Sequence, residues 1–216
     1  MEVPPSREIT PIAARAALLI IDVQKYCADR EGSEFIGHDM DRYAHFFVRL
    51  ERRVVPNIQR LQACFRAGGH EIVYTMIESL TRDGRDRCLD YKLSDLHVPK
   101  GSRDAEMLDA IRPLDDEIVI PKTSSSVFNS TNIDYVLRNL GIDFLIIAGV
   151  VTDQCVESAV RDAADKGYLV TLVTDACCTY DQERHDNALA TIKGYCRQRP
   201  TDAVVAEIAA QTPPSA

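Results

Sequence analysis

The chain has 216 residues, and its 45% hydrophobic and 27% charged side chains are typical of a globular domain rather than a disordered one. Acidic side chains outnumber basic ones by 33 to 25, which gives a formal net charge of −8 and argues against nucleic acid or an anionic membrane as partner. The longest apolar run, residues 144–151, is far shorter than the roughly 20 residues that span a bilayer.

Short apolar runs alternate with amphipathic segments along the chain. This pattern predicts a Rossmann-like three-layer α/β/α fold around a mostly parallel six-stranded sheet. Because they are short and rich in Val and Ile, five runs are predicted as strands, with AVVAEI near the end as the sixth: residues 16–22, 71–77, 117–120, 144–150, 168–174 and 203–208.

Amphipathic segments between these runs predict helices over residues 41–67, 104–111, 132–139, 153–166 and 182–198. The fourth has the clearest apolar stripe, at positions 156, 159, 160, 163 and 164. Residues 78–101 show no periodicity and follow the second strand as a long loop, and such loops are commonly functional. We expect this loop to line a pocket, either its own or that of a neighbouring subunit.

The Pro-rich ends set the expected domain limits. Residues 1–11 are predicted as an arm, 12–208 as one domain and 209–216 as a tail. The N-terminus does not have the pattern of a secretory signal. The seven cysteines form no C-x-x-C pair, and the five histidines show no ligand spacing. These features favour reduced thiols in the cytoplasm, with no bound metal and no cofactor.

Three reactive side chains follow predicted strands. Asp22 ends the first, Lys122 follows the third and Cys155 lies just after the fourth. Because ligands bind beyond the carboxyl ends of parallel strands, these groups should converge at one edge of the sheet. Each also has an ordinary structural explanation: a turn-forming Asp, a solvated Lys and a small core thiol.

Cys155 falls in the first turn of the fourth helix, with Thr152 or Asp153 as the expected N-cap. The helix N-terminus and Lys122 would both lower the pKa of the thiol. Asp22 could exchange the thiol proton, and the backbone N–H of Cys155 with a neighbouring N–H could bind an oxyanion. Cys27 is a second thiol near a strand end, but it lacks this helical setting.

The motifs IIDVQ, IPKTSSSVFNST and AGVVTDQCVESAVRDAADKGYLVTLVTDAC occur in that order. Together they resemble those of the isochorismatase-like cysteine hydrolases, and the resemblance runs over residues 16–192. It implies a catalytic triad at Asp22, Lys122 and Cys155. It also implies a non-proline cis peptide between Val150 and Val151, which would aim the Val151 and Cys155 amides at an oxyanion.

Departures from particular members of this family narrow the expected substrate. True isochorismatases lack the nucleophilic cysteine, and nicotinamidases carry a metal-binding D-x-H motif where this chain has YTMIESLTRDG. The remaining resemblance is to metal-free hydrolases of biuret, ureidoacrylate and N-carbamoylsarcosine. The main hypothesis is therefore a cysteine amidohydrolase that acts on a small amide, ureido or carbamoyl compound through a thioester.

Three alternatives stay open: a nicotinamidase-type deamidase, a non-catalytic binding protein that keeps the fold, and a thiol redox protein. The last lacks a C-x-x-C pair and depends only on a reactive Cys155. Around the reacting carbonyl, Gln24 and Asn129 are expected to supply amides to the substrate, and Tyr26 and Phe128 to form apolar walls. One of the loop arginines at positions 82, 85 and 87 could anchor a carboxylate. The family resemblance further implies a homo-oligomer, a dimer or a tetramer.

Overall fold

Six parallel strands form a single sheet in the computed structural model, which describes residues 6–211. Their order across the sheet is β3-β2-β1-β4-β5-β6. The three-layer α/β/α prediction is confirmed. The strands are β1 (Ala16–Ile21), β2 (Glu71–Ile77), β3 (Ile118–Lys122), β4 (Phe144–Val150), β5 (Leu169–Cys178) and β6 (Arg197–Arg199).

Helices cover both faces of this sheet. They are α1 (Lys25–Ala28), α2 (Ala44–Arg49), α3 (Val55–Ala67), α4 (Leu89–Leu93), α5 (Val127–Ser130), α6 (Ile133–Asn139), α7 (Glu157–Asp165), α8 (Gln182–Ile192) and α9 (Thr201–Ala209). Strands β1 and β4 are buried along their whole length, which explains their continuous apolar sequences. Alternate β1 side chains enter opposite cores: Leu18 and Ile20 face one, Leu19 and Ile21 the other.

The predicted sixth strand, residues 203–208, is wrong. This segment lies in α9, where Val204 and Ile208 are spaced by one helical turn and are both buried. The helical period of these apolar positions outweighs the strand-like composition. The sixth strand is instead the short Arg197–Arg199 segment, which pairs with β5 in the part of the chain that was predicted to end the fifth helix.

Three predicted helices differ in detail from the observed elements. The segment 41–67 is divided into a 3-10 turn, α2, a π-helical stretch at Leu50–Val54 and α3. Pro56 lies at the start of α3 and has no N–H for the helical ladder, so an uninterrupted α-helix cannot form there. Residues 104–111 form two 3-10 turns rather than a helix, and the fifth helix ends at Ile192.

The predicted arm and tail lie partly outside the described residues, at positions 1–5 and 212–216. Where the chain is described, Gln211 joins the two ends. Its side-chain amide donates to the Pro11 carbonyl at 2.9 Å and accepts from the Ala13 N–H at 3.0 Å.

Candidate active site

The strand order reverses between β1 and β4: earlier strands lie on one side of this point and later strands on the other. Open α/β sheets bind ligands at such a reversal. The two strands approach closely at Gly149, which pairs with Ile21. A Cβ at residue 149 would lie 2.2 Å from the Ile21 carbonyl oxygen, and the φ of +129° suits glycine alone. This close approach brings Asp22, which follows β1, next to the segment that follows β4.

Lys122 joins the other two predicted catalytic residues. Its Nζ lies 2.8 Å from Asp22 Oδ2 and 3.3 Å from Cys155 Sγ, and it donates to the Ser124 carbonyl at 2.9 Å. The Lys122 side chain is 0% exposed and that of Asp22 is 1% exposed. The structure therefore brings the acid, the base and the thiol into one contact group that is shielded from solvent.

Backbone and side-chain contacts fix the orientation of Asp22. Its φ is +52°, and its Oδ1 accepts a hydrogen bond from Thr75 Oγ1 at 2.7 Å. The Cys27 thiol donates to the Asp22 carbonyl at 3.2 Å. Within the described chain, Asp22 Oδ2 has no hydrogen-bond partner of good geometry, so it interacts with Lys122 as an ion pair. This oxygen remains available to accept a proton.

The direction of the thiol pKa is opposite to the prediction. Burial raises the pKa of Cys155 to about 12, the Lys122 ammonium opposes this rise and the Asp22 carboxylate adds to it. Burial lowers the pKa of Lys122, but Asp22 and Cys155 outweigh it, and the pKa lies well above its ordinary value. The resting group is consequently a neutral thiol beside an ammonium–carboxylate pair.

The segment after β4 contains the predicted cis peptide between Val150 and Val151, which is confirmed. A π-helical turn, Thr152–Val156, follows and contains Cys155. The predicted N-cap is wrong, because Val151 occupies that position without a side-chain cap. Asp153 instead accepts from Thr179 Oγ1 and Arg184 Nε, both at 2.6 Å.

His185, on α8, is buried. Its Nε2 lies 3.0 Å from the Arg49 guanidinium, and its Nδ1 lies 2.9 Å from Thr152 Oγ1. Arg49 can only donate, so Nε2 accepts and the proton is assigned to Nδ1, facing Thr152. Burial, together with Arg49, lowers the pKa of His185 to about 4. A neutral imidazole therefore holds the residue that follows the cis peptide.

A cavity of about 510 Å³ opens above the thiol. The long loop after β2 contributes Tyr91 from the short helix α4, so this loop lines the cavity of its own chain. Tyr91 also lies beside the buried ammonium, with its hydroxyl 3.4 Å from Lys122 Nζ. The cavity is lined by Asp22, Val151 and Cys155 at its base and by Tyr26, Glu34 and Tyr180 on its wall.

The sequence profile of the isochorismatase domain matches residues 16–203, most of the chain. The chain belongs to the isochorismatase family. It is similar to the ureidoacrylate amidohydrolase RutB of Rhizobium rhizogenes, with 34% identity over 87% of this chain and 85% of the relative. It is also 32% identical to a probable inactive nicotinamidase of Arabidopsis thaliana, over 86% of this chain and 91% of that protein.

The fold of this family member is similar to that of a cysteine hydrolase from Pseudomonas syringae pv. phaseolicola 1448A. The TM-score is 0.82, with 24% identity over 97% of this chain and 100% of the other. Because the sequence identity is only 24%, this structural similarity is evidence for the fold alone.

The isochorismatase-family cavity does not include three of the predicted substrate contacts. Both ends of the Gln24 amide bind backbone, with Nε2 donating to the carbonyls of Ile77 and Asp104 and Oε1 accepting from the Ile77 N–H. Phe128 is buried in the core beneath the sheet, and Asn129 is exposed away from the cavity. Gln24 therefore fixes the end of β2. Of the four residues, Tyr26 alone lines the cavity.

The three loop arginines are also absent from its wall. Arg85 is exposed and pairs with Asp83 at 2.9 Å, and Arg87 donates to the carbonyls of Gly84 and Leu96. Arg82 is exposed and does not line the cavity. These positions do not support a carboxylate anchor.

Sequence reasoning missed several polar residues around this family site. Thr75 had a usable signal, because it is a hydroxyl residue in a strand rich in apolar side chains, and a buried polar group needs a hydrogen-bond partner. Tyr91, Glu34 and Tyr180 had none, since they come from separate loops and meet only in the folded chain.

Within residues 6–211, the part of the chain that the structure describes, there is neither a candidate metal site nor a candidate membrane span. In that range, no group of three or more His, Cys, Asp and Glu side chains could hold a metal ion. No helix there has the length and apolar character needed to cross a membrane. All seven cysteines fall within the same range and are free thiols.

Proposed function

We propose that this protein is a cysteine amidohydrolase that cleaves a C–N bond of a small amide, ureido or carbamoyl compound. The observation that carries the proposal is the buried contact group of Asp22, Lys122 and Cys155 at the base of a cavity. The similarity to a ureidoacrylate amidohydrolase supports the same type of bond.

In the first half-reaction, the Cys155 sulfur attacks the carbonyl carbon while its proton moves to Asp22. This transfer conserves the net charge of the dry contact group, because the carboxylate becomes neutral as the sulfur becomes anionic. Lys122 stays protonated and stabilises the developing thiolate at 3.3 Å. The N–H groups of Val151 and Cys155 are the proposed donors to the oxyanion.

Collapse of the tetrahedral intermediate breaks the C–N bond, and the leaving nitrogen takes the proton from Asp22. Ammonia or an amine departs, and a thioester remains on Cys155. Water then attacks the thioester carbon and gives a proton to Asp22, the C–S bond breaks, and the thiol recovers its proton. The sum is hydrolysis of one amide bond by one water molecule.

Two thiols in the cavity allow a direct test of the nucleophile. Cys27 also lines the cavity, but its thiol points to the Asp22 carbonyl, whereas Lys122 contacts Cys155. Ammonia release should be measured over biuret, ureido acids, N-carbamoyl amino acids, nicotinamide and simple amides. We expect Cys155→Ala to abolish turnover while folding normally and Cys64→Ala, on α3, to retain it.

Retention of wild-type turnover by Cys155→Ala, with loss in Cys27→Ala, would reassign the nucleophile. A strong preference for nicotinamide would favour the deamidase alternative. Release of no ammonia from any compound would favour the binding-protein alternative, which the fully assembled contact group now argues against.

We also propose a homo-oligomer, a dimer or a tetramer, located in the cytoplasm, where the free thiols stay reduced. Light scattering at working concentration should give a mass at least twice the 24.1 kDa of one chain. A monomer would contradict the oligomer.

A further inference from the structure

The wall of the cavity carries an unneutralised carboxylate. Glu34 lines the same cavity as Cys155, and its two oxygens accept hydrogen bonds from different phenols. Tyr180 donates to Oε1 at 3.2 Å, and Tyr26 donates to Oε2 through a short contact. Within residues 6–211, Glu34 forms no salt bridge, so its charge faces the cavity without a protein counter-ion.

Glu34 is held in place by a close backbone approach. It lies in the 3-10 turn Ser33–Phe35, which packs against α1 through Gly32. A Cβ at residue 32 would lie 2.2 Å from the carbonyl oxygens of Lys25 and Tyr26, so only glycine permits this approach. The turn and α1 therefore present Glu34 and Tyr26 to the cavity as a fixed pair.

The two phenols remain protonated donors to this carboxylate. Burial and then the Glu34 hydrogen bond raise the pKa of Tyr26 well above its ordinary value. Burial and then the Glu34 charge do the same for Tyr180. Both phenols therefore act as neutral hydrogen-bond donors to the Glu34 carboxylate.

The remaining charges near the cavity do not offset Glu34. At its base, Lys122 is paired with Asp22. Among the described lining residues none is Lys, Arg or His, and the one charged side chain besides Asp22 and Glu34 is the exposed Asp90. Arg184 lies over the Tyr180 ring, but it pairs with Asp153. The side chains that line the cavity therefore include carboxylates but no cation.

We propose that Glu34 selects a substrate that carries a positive charge, an ammonium or guanidinium group, at the end away from its reacting carbonyl. This inference rests on the proposed amide hydrolysis and gives its substrate class. It also separates the chain from the relative named for ureidoacrylate, whose substrate is a carboxylate. A carboxylate in this cavity would face Glu34 and Asp90 with no free cation in the described wall to balance it.

Three ureas that share one propyl chain and differ in terminal charge test the proposal: (3-aminopropyl)urea, butylurea and 4-ureidobutyrate. We expect kcat/KM for ammonia release to be highest for the cation, lower for the neutral compound and lowest for the anion. The cation should exceed the anion by about tenfold or more, and a tenfold ratio corresponds to about 1.4 kcal/mol.

Glu34→Gln keeps the shape but removes the charge; its amide oxygen still accepts from one phenol, and its NH2 donates to the oxygen of the other. The cation-to-anion ratio should therefore fall about tenfold. Glu31→Gln is the matched control, because it makes the same charge change three residues away, on an exposed side chain outside the cavity. It should leave the ratio unchanged. An anion preference, or equal loss in both variants, would overturn the proposal.

Calorimetric titration of Cys155→Ala with the same ureas separates this proposal from the proposed chemistry. Tighter binding of the cation than of the anion supports the charge selection even if wild-type protein releases no ammonia, in which case the hydrolysis fails alone. Equal affinities, tighter anion binding or no binding of any of the three would overturn the charge selection, whatever the turnover.

Discussion

Replacement of Lys122 by Met removes the cation from the buried pair while keeping a side chain of similar length. At a separation of 2.8 Å and an effective dielectric constant of about 20, the lost attraction is about 6 kcal/mol. Part of this loss is offset, because the variant no longer has to bury an ammonium group away from water. The net loss in the free energy of unfolding should be about 3–5 kcal/mol, the usual result of leaving one buried charge unpaired.

The companion variants are Asp22→Asn and the double variant that combines it with Lys122→Met. Asn tolerates the positive φ at position 22, so the substitution changes charge without adding backbone strain. Because the double variant leaves no unpaired charge, it should lose less stability than the sum of the two single variants, by about 2–3 kcal/mol. Urea unfolding at pH 7 measures all four proteins. Equal urea midpoints for wild type and Lys122→Met, or strictly additive losses in the double variant, would refute the stabilising role of the pair.

Three further predictions concern other parts of the molecule. The pKa of His185 is about 4 in the folded state and 6.5 ordinarily, so its contribution to the free energy of unfolding, up to about 3 kcal/mol, is complete above pH 6.5 and is lost as pH falls through 4. Chemical unfolding between pH 7 and pH 4 should therefore show a free energy that depends less steeply on pH in His185→Gln. An unchanged slope would contradict this prediction. Gly149→Ala places a Cβ 2.2 Å from the Ile21 carbonyl oxygen and should yield little soluble protein. Gly167→Ala is the control: its Cβ meets no atom within 4 Å, and its positive φ should lower the free energy of unfolding by about 1–3 kcal/mol. Similar soluble yields and unfolding midpoints for the two variants would argue against the close approach. Exhaustive chelation should leave ammonia release unchanged, and loss of activity with recovery on adding zinc would show a metal requirement.

Five of the six strands, and the three side chains that meet at the sheet edge, were predictable from local sequence. The runs 71–77 and 144–150 match β2 and β4 residue for residue, because strands that are largely buried on both faces are rich in Val, Ile and other apolar residues between turn residues. Positions at strand ends then marked Asp22, Lys122 and Cys155, because parallel strands place their carboxyl ends at one edge. The strand prediction for residues 203–208 was wrong because a short apolar segment fits a strand and a helix equally well.

The sequence alone determined the layer architecture and the identity of the groups that meet at the sheet edge, since both depend on periodicity and on order along the chain. Tertiary structure alone decided their ionisation and the character of the cavity. The raised pKa of Cys155 comes from burial, which outweighs the opposing effect of the Lys122 ammonium. Likewise, Glu34, Tyr26 and Tyr180 form an acidic wall only because separate loops converge, and no local pattern encodes that contact.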